Sequence, residues 1–348
     1  MTLFDPLPDT NTAASSTPAD QPLIDQAPPV GMTPPTLLAR EAAEGRRGAA
    51  WRLLHGIMAN DPEAVTSVAA LDDDRLAHHL LEFIALGTWA GKPFVLPGPL
   101  RSAYARTSLR TLFLPGSGMP SGRAEHVLQA AAHDARPAMR ENAIHILGLI
   151  GDITTTPTLI EALNDSTQSV RLQAAKALGR VGNPAAVPAL LRTLRDADEQ
   201  LGSQIFSTLV HLGSPAVPAL IRESTSGSAW IRWHCVRALG EICDYRALPV
   251  LVRALHDSDH SVAWMAAKSL ARYGKMCLKP VLHVLIDTEM TPWLVETASY
   301  VLHDLYVRDA KLKPYLLPVI QSMHGVAYRI ATPQAAGKAL NALDEAGL

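Results

Sequence analysis

Aromatic residues make up only 5% of this 348-residue chain, and cysteine is rarer still, with three. Cys235, Cys243 and Cys277 stand in no C-x-x-C spacing, so no zinc ribbon, redox pair or disulfide framework can be read from them. Cys235 falls in a column of alanines and Cys243 in one of glycines, so both are expected as small residues tolerated in a reducing interior. Neither sign of charge dominates: 31 Lys and Arg stand against 33 Asp and Glu, for a formal net charge of -2. That excludes a bulk electrostatic drive toward nucleic acid or an anionic membrane. No apolar run approaches the length of a membrane span. The first residues carry no Lys or Arg before Arg40 and no apolar stretch of the signal type, so the expected location is the cytoplasm. A Walker loop, a dinucleotide fingerprint and a nucleophile elbow are also missing. Neither a catalytic residue nor a cofactor is expected.

What the chain does have is a clock. Pro157, Pro188, Pro218, Pro249 and Pro280 follow one another at 30 or 31 residues. Gly151, Gly182, Gly213, Cys243 and Gly274 keep the same time, and Asp134, Asp165, Asp196 and Asp257 form an acidic column. A period of this length is the mark of a repeat architecture.

Thr156 to Gly182 shows one unit. Thr156-Pro157 reads as a helix start, with threonine as cap and proline at the first helical position. Leu159, Ile160 and Leu163 continue at helical spacing, and Asn164-Asp165-Ser166 makes a polar turn. Val170, Ala174, Ala175 and Leu178 then form the apolar stripe of a second helix, which Gly182 ends. The stripe recurs at Met139, Leu201, Ile231 and Val262. Each unit is a helical hairpin that cannot bury its stripe alone, so neighbours must stack.

The run Asp165-x4-Val170-Arg171-x2-Ala174-Ala175-x2-Leu178-Gly179-x2-Gly182 resembles the short HEAT-like repeat of the phycobilisome-lyase type. The resemblance covers about residues 123 to 310. It implies an all-α fold, a right-handed α-solenoid (α-α superhelix) of stacked HEAT-like hairpins with degenerate terminal caps. Within that fold the Asp and Arg columns, such as Asp134 with Arg140 and Asp165 with Arg171, are expected to form an inter-repeat ladder.

Four regions follow. Residues 1–35, rich in proline, are expected as a disordered tail. Residues 36–122 are expected as a helical N-terminal cap, with helices over Thr36–Glu44, Arg46–Ala59, Pro62–Ala70, Leu71–Leu86 and Pro99–Phe113 and loops over Gly87–Gly98 and Leu114–Gly122. The repeat array spans 123–310. Residues 311–348 close it with a hairpin of Pro314–His324 and a helix capped by Thr332-Pro333.

In the resembled family the second helix of each hairpin lines the concave face. Counted from its first core residue, the exposed positions are about +2, +3, +6 and +10. In the Ile231 unit these hold Trp233, His234, Arg237 and Glu241; in the Val262 unit, Trp264, Met265, Lys268 and Arg272. Lys176 and Arg180 take the last two in the Val170 unit, and Trp230 lies one turn ahead of Trp233. Trp293 joins that column if the next unit has a one-residue insertion. Large aromatics flanked by Arg and Lys, where a core does not require them, point to a binding ridge. His256-Asp257-Ser258-Asp259-His260 spans a turn and so loses the helical spacing a metal pair needs, His78-His79 point to different faces of one helix, and the Arg101, Tyr104, Arg106, Arg110 segment reads as a solvated basic helix face.

The function expected from ridge and resemblance is a non-catalytic scaffold that binds a protein or peptide on its concave face. The resemblance also supplies two alternatives: a lyase or handling protein for a tetrapyrrole, and a HEAT-like DNA glycosylase type of DNA binder. The near-neutral charge counts against nucleic acid.

Overall fold

The structure, a computed structural model, describes residues 35–71, 73–96, 109–114, 116, 119 and 121–348. The disordered tail expected over 1–35 falls outside them except for Pro35, as do Arg101, Tyr104 and Arg106 of the basic helix.

Four helices come first among the described residues: α1 (Pro35–Ala43), α2 (Arg47–Met58), α3 (Pro62–Leu71) and α4 (Asp74–Leu86). The last is shorter than the pattern predicts because Asp73 caps it, accepting from the Arg75 N–H. The stretch after Gly87, expected as a plain loop, contains an antiparallel ribbon of β1 (Thr88–Trp89) and β2 (Lys92–Pro93). It exists because Glu82 and Trp89 pin it. Thr88 Oγ1 and the Gly91 N–H each donate to Glu82 Oε1 at 3.0 Å, and the fully buried Trp89 donates from Nε1 to the Ala42 carbonyl. Burial alone would raise the Glu82 pKa, but the bonds from Thr88 and Gly91, with His79 and Arg136 close by, hold it below the usual range.

The repeat array then follows as paired helices. These are α5 (Ser121–Ala131) with α6 (Pro137–Ile150), α7 (Thr156–Ala162) with α8 (Gln168–Val181), and α9 (Val187–Thr193) with α10 (Glu199–Leu212). Next come α11 (Val217–Glu223) with α12 (Ala229–Ile242), α13 (Leu248–Arg253) with α14 (His260–Arg272), and α15 (Leu278–Asp287) with α16 (Pro292–Arg308). The second helices pack in one unbroken row, α6 on α8 on α10 on α12 on α14 on α16, and α4 extends it at the front. The result is the α-solenoid of stacked hairpins that the resemblance implies.

Two details set the fit between units. Gly148 allows α6 to meet α8, since a Cβ there would lie 2.5 Å from that of Ala177. One unit on, Gly179 admits Thr208, whose hydroxyl donates to the Ala175 carbonyl at 2.9 Å. The Asp and Arg columns form inter-repeat rungs, though not between the pairs expected: Arg140 pairs with Asp165 of the next unit and Arg232 with Asp257, each pair within 2.9 Å, whereas Arg171 donates to the Asp165 and Ser166 carbonyls of its own turn. The same arginines donate to carbonyls of the turn before their own helix. The Asp134 carboxylate goes instead to Arg136.

Three expectations are corrected. Thr156 does not cap α7; its hydroxyl donates to the Ile153 carbonyl, and the chain enters through a 3-10 turn, Ile153–Thr155, capped by Asp152. Cys243 is exposed rather than interior: it holds the left-handed position after α12 at φ 58°, where the other units use glycine. At the C-terminus, α17 (Lys313–Met323) is followed by α18 (Tyr328–Glu345), which starts a turn before Thr332 and contains Pro333. Moreover, α18 lies on α15 and α17, in the layer of first helices, so the row of second helices ends at α16. No single helix among the described residues is long and apolar enough to cross a membrane, and the bent pair of Glu199–Leu212 with Ser214–Glu223 turns through 110°.

Candidate functional site

On the second helices the outward side is set by 100° of rotation per residue. Relative to the first core residue, positions -1, +2, +6 and +10 look away from the core, whereas +3 lies on the flank that meets the preceding helix. His234 therefore does not belong to the exposed ridge. It is 3% exposed, wedged between the Trp230 ring at 4.3 Å and the Trp233 ring at 4.9 Å. Gly202 makes room for it: a Cβ there would sit 2.9 Å from Trp230 and 3.5 Å from His234 Nε2. Gly202 occupies the column that holds Arg140, Arg171 and Arg232 elsewhere. Where the ladder loses its arginine, Trp230 takes over, donating from Nε1 to the Leu194 carbonyl at 3.2 Å. Trp230 is 38% exposed, but its indole is anchored between units.

The aromatic ridge divides into two clusters. The first, on α10 and α12, is partly structural. Trp233 is half-buried and packs on the hydrophobic core, and Arg237 lies over Phe206 at 3.9 Å and over Trp233 at 5.3 Å. The second, on α14 and α16, stands outside the core. Trp264 contacts Tyr300 at 5.0 Å and His260 at 6.5 Å, and His260 contacts Trp293 at 4.1 Å. Lys268 reaches over Trp264 at 5.9 Å. Trp293 is 53% exposed and Tyr300 37%. Tyr300 was not singled out from the sequence, and His260 was read there only as a turn residue. Tyr300 was findable, because one inserted residue puts it in the column of Arg237 and Lys268.

Basic side chains continue the same face. Arg180 lies 3.5 Å from His145 Nδ1, and burial together with Arg110 and Arg180 lowers the His145 pKa. Lys176 is half-buried and Arg180 exposed on α8, and Arg272 pairs with Glu241 at 2.6 Å. Beyond the second cluster, Glu296, Ser299, Tyr300, His303, Asp304 and Val307 line an open depression of about 440 Å³ along α16, where the row of helices ends.

In this turn Asp257 holds Arg232, Asp259 caps α14, and His260 joins the second cluster beside Glu296. Among the described residues no group of three His, Cys, Asp or Glu is placed to hold a metal ion. The Cys235 and Cys277 thiols are buried, and burial pushes Cys277 up to about 12, which makes both poor nucleophiles. The arrangement gathers rings and cations on the face of the second helices.

The family model for HEAT repeats matches residues 124–206 and 215–303. No curated protein matches the sequence. Among solved structures, a HEAT-like repeats protein from the archaeon Thermococcus onnurineus NA1 is similar at 16% identity, over 53% of this chain and 88% of that one, with a TM-score of 0.36. Importin beta is similar at 13% identity and a TM-score of 0.48, over 87% of this chain; the chain spans 45% of importin beta. The complex of CpcE and CpcF of phycocyanin lyase from Nostoc is similar at 20% identity and a TM-score of 0.33, over 63% of this chain and 94% of that one.

Proposed function

Since this chain belongs to the HEAT-repeat family through its stacked units, we propose that it is a non-catalytic adaptor that grips a protein partner on the face of its second helices, centred on Trp264, Trp293 and Tyr300. One observation carries the reading. These three large rings touch one another or His260 rather than the core, and two of them stand more than a third exposed. A ring that stacking does not require, on a face flanked by Lys268 and Arg272, suits the anchor of a protein interface. Three free thiols, at Cys235, Cys243 and Cys277, suit a reducing cytoplasm.

The test is the pair Trp264→Ala with Trp293→Ala. Partner capture from the native cell, quantified by mass spectrometry, is expected to fall by tenfold or more, since anchor truncations cost about 2 kcal/mol or more. The melting temperature should move by only a few degrees, roughly as for surface substitutions. Unchanged capture, or a variant that does not fold, contradicts the reading.

A further inference from the structure

Resting on that reading of the second-helix face, we propose that the bound partner also carries an acidic segment in polyproline II conformation, which lies across α8, α10, α12 and α14 beside the ring cluster of α14 and α16. Lys176 and Arg180 on α8, Arg237 on α12, and Lys268 and Arg272 on α14 hold the +6 and +10 columns of this face. Glu241 is the one carboxylate in those columns over the same stretch, and α10 fills them with Ser207 and His211. The stretch is strongly basic within a chain of formal net charge -2. Among the described residues no carboxylate forms an ion pair with Lys176, Arg180, Arg237 or Lys268, while other cations of the chain, such as Arg140 and Arg232, are held by the ladder.

The cations are also well presented. Arg237 lies over the Phe206 ring, which holds the guanidinium in place through its face and leaves its in-plane N–H donors for a carboxylate. Lys268 is held over Trp264 in a similar way. Binding therefore orders less side chain than it would with free arginines and lysines.

The spacing selects the ligand's conformation. Packed helices lie about 8–10 Å apart. A polyproline II chain rises about 3.1 Å per residue with three residues per turn, so every third side chain faces the same way about 9 Å further on. A β-strand would turn its third residue to the opposite side. An acidic residue facing Lys176 and Arg180 is thus followed, two turns along, by one facing Arg237, and after one more turn by one facing Lys268 and Arg272. Trp233 and Trp264 lie one turn along α12 and α14 from Arg237 and Lys268, beside these contacts, and take apolar or proline residues.

The track is bounded. Glu141 on α6 and Glu296 and Asp304 on α16 close its ends with negative charge. A nucleic-acid backbone carries a charge at every nucleotide and would have to run past those carboxylates, whereas a short acidic peptide stops before them.

The experiment titrates the full chain with four probes at low and moderate salt: a peptide of repeated Glu-Pro-Pro, one of the same composition with its glutamates grouped together, one of repeated Lys-Pro-Pro, and an oligothymidylate. The Glu-Pro-Pro peptide should bind best, several-fold better than the grouped one, and lose affinity as salt rises. Lys176→Glu with Lys268→Glu, both at outward +6 positions, should weaken it about tenfold with the circular dichroism unchanged. Preference for the lysine peptide or the oligothymidylate, equal affinity for the grouped peptide, no binding of any probe, or indifference to the charge reversals overturns the proposal. Should the acidic peptide fail while native capture still depends on Trp264 and Trp293, the adaptor reading stands without this ligand. Should the peptide bind while capture ignores both tryptophans, the adaptor site is wrong and the basic track survives.

Discussion

At the scale of single residues, His234 combines burial with chemistry that burial opposes. Neither ring nitrogen has a hydrogen-bond partner, and desolvation, reinforced by Arg237, lowers its pKa to about 4. The sign of the consequence follows. Above its ordinary pKa of 6.5 the ring is neutral in both folded and unfolded chains, and stability is full. As pH falls toward 4, the unfolded chain takes up a proton that the folded one refuses, so stability is lost across that window. Between pH 7.5 and 5, urea unfolding should register about 2 kcal/mol of loss attributable to this residue. His234→Phe, which keeps a ring between the two indoles, should lack that component. An identical pH dependence in both proteins would show that His234 is not the group responsible. Trp230 illustrates the same scale: it fills the place of a missing ladder arginine, and its exposure reflects a structural duty as much as an available surface.

At the scale of elements, the second helices are spaced by what small residues allow. Gly148→Leu would place a branched side chain where even a Cβ meets Ala177 at 2.5 Å, so α6 and α8 would have to part. Overpacking of this kind costs about 1–3 kcal/mol. Chemical denaturation should show that loss, whereas Leu149→Ala, at an exposed neighbour, should be nearly neutral. The period of the proline, glycine and aspartate columns made the hairpins and their stacking readable, because each column answers to a local rule of helix start, helix stop or turn. What escaped was set by neighbours far away in sequence. The +3 position lies on the flank of its helix, and at His234 it is buried because the preceding helix offers Gly202. The β1–β2 ribbon depends on Glu82 and Ala42, which no local pattern in residues 88–93 announces. The capping column of Asp152, Asn183 and Asp244 was periodic and visible, but it lay outside the helices that proline and threonine seemed to begin.

At the scale of the whole molecule, a solenoid is nearly one-dimensional, with each unit contacting its neighbours along the row. The two ring clusters gather where that regularity loosens. The ladder breaks at Gly202, the unit of α16 carries one extra residue, and α18 crosses to the first-helix layer instead of continuing the row. The Trp264, Trp293 and Tyr300 rings and the depression along α16 lie beside these departures. The opposite side also offers exposed apolar groups, Ile153, Tyr245 and Met276, in the 3-10 turns before or at the first helices. Hydroxyl-radical footprinting of the protein with and without its captured partner separates the two surfaces. Protection of Trp264, Trp293 and Tyr300, with Ile153, Tyr245 and Met276 unchanged, is the result the adaptor account predicts; protection of the second set alone would contradict it.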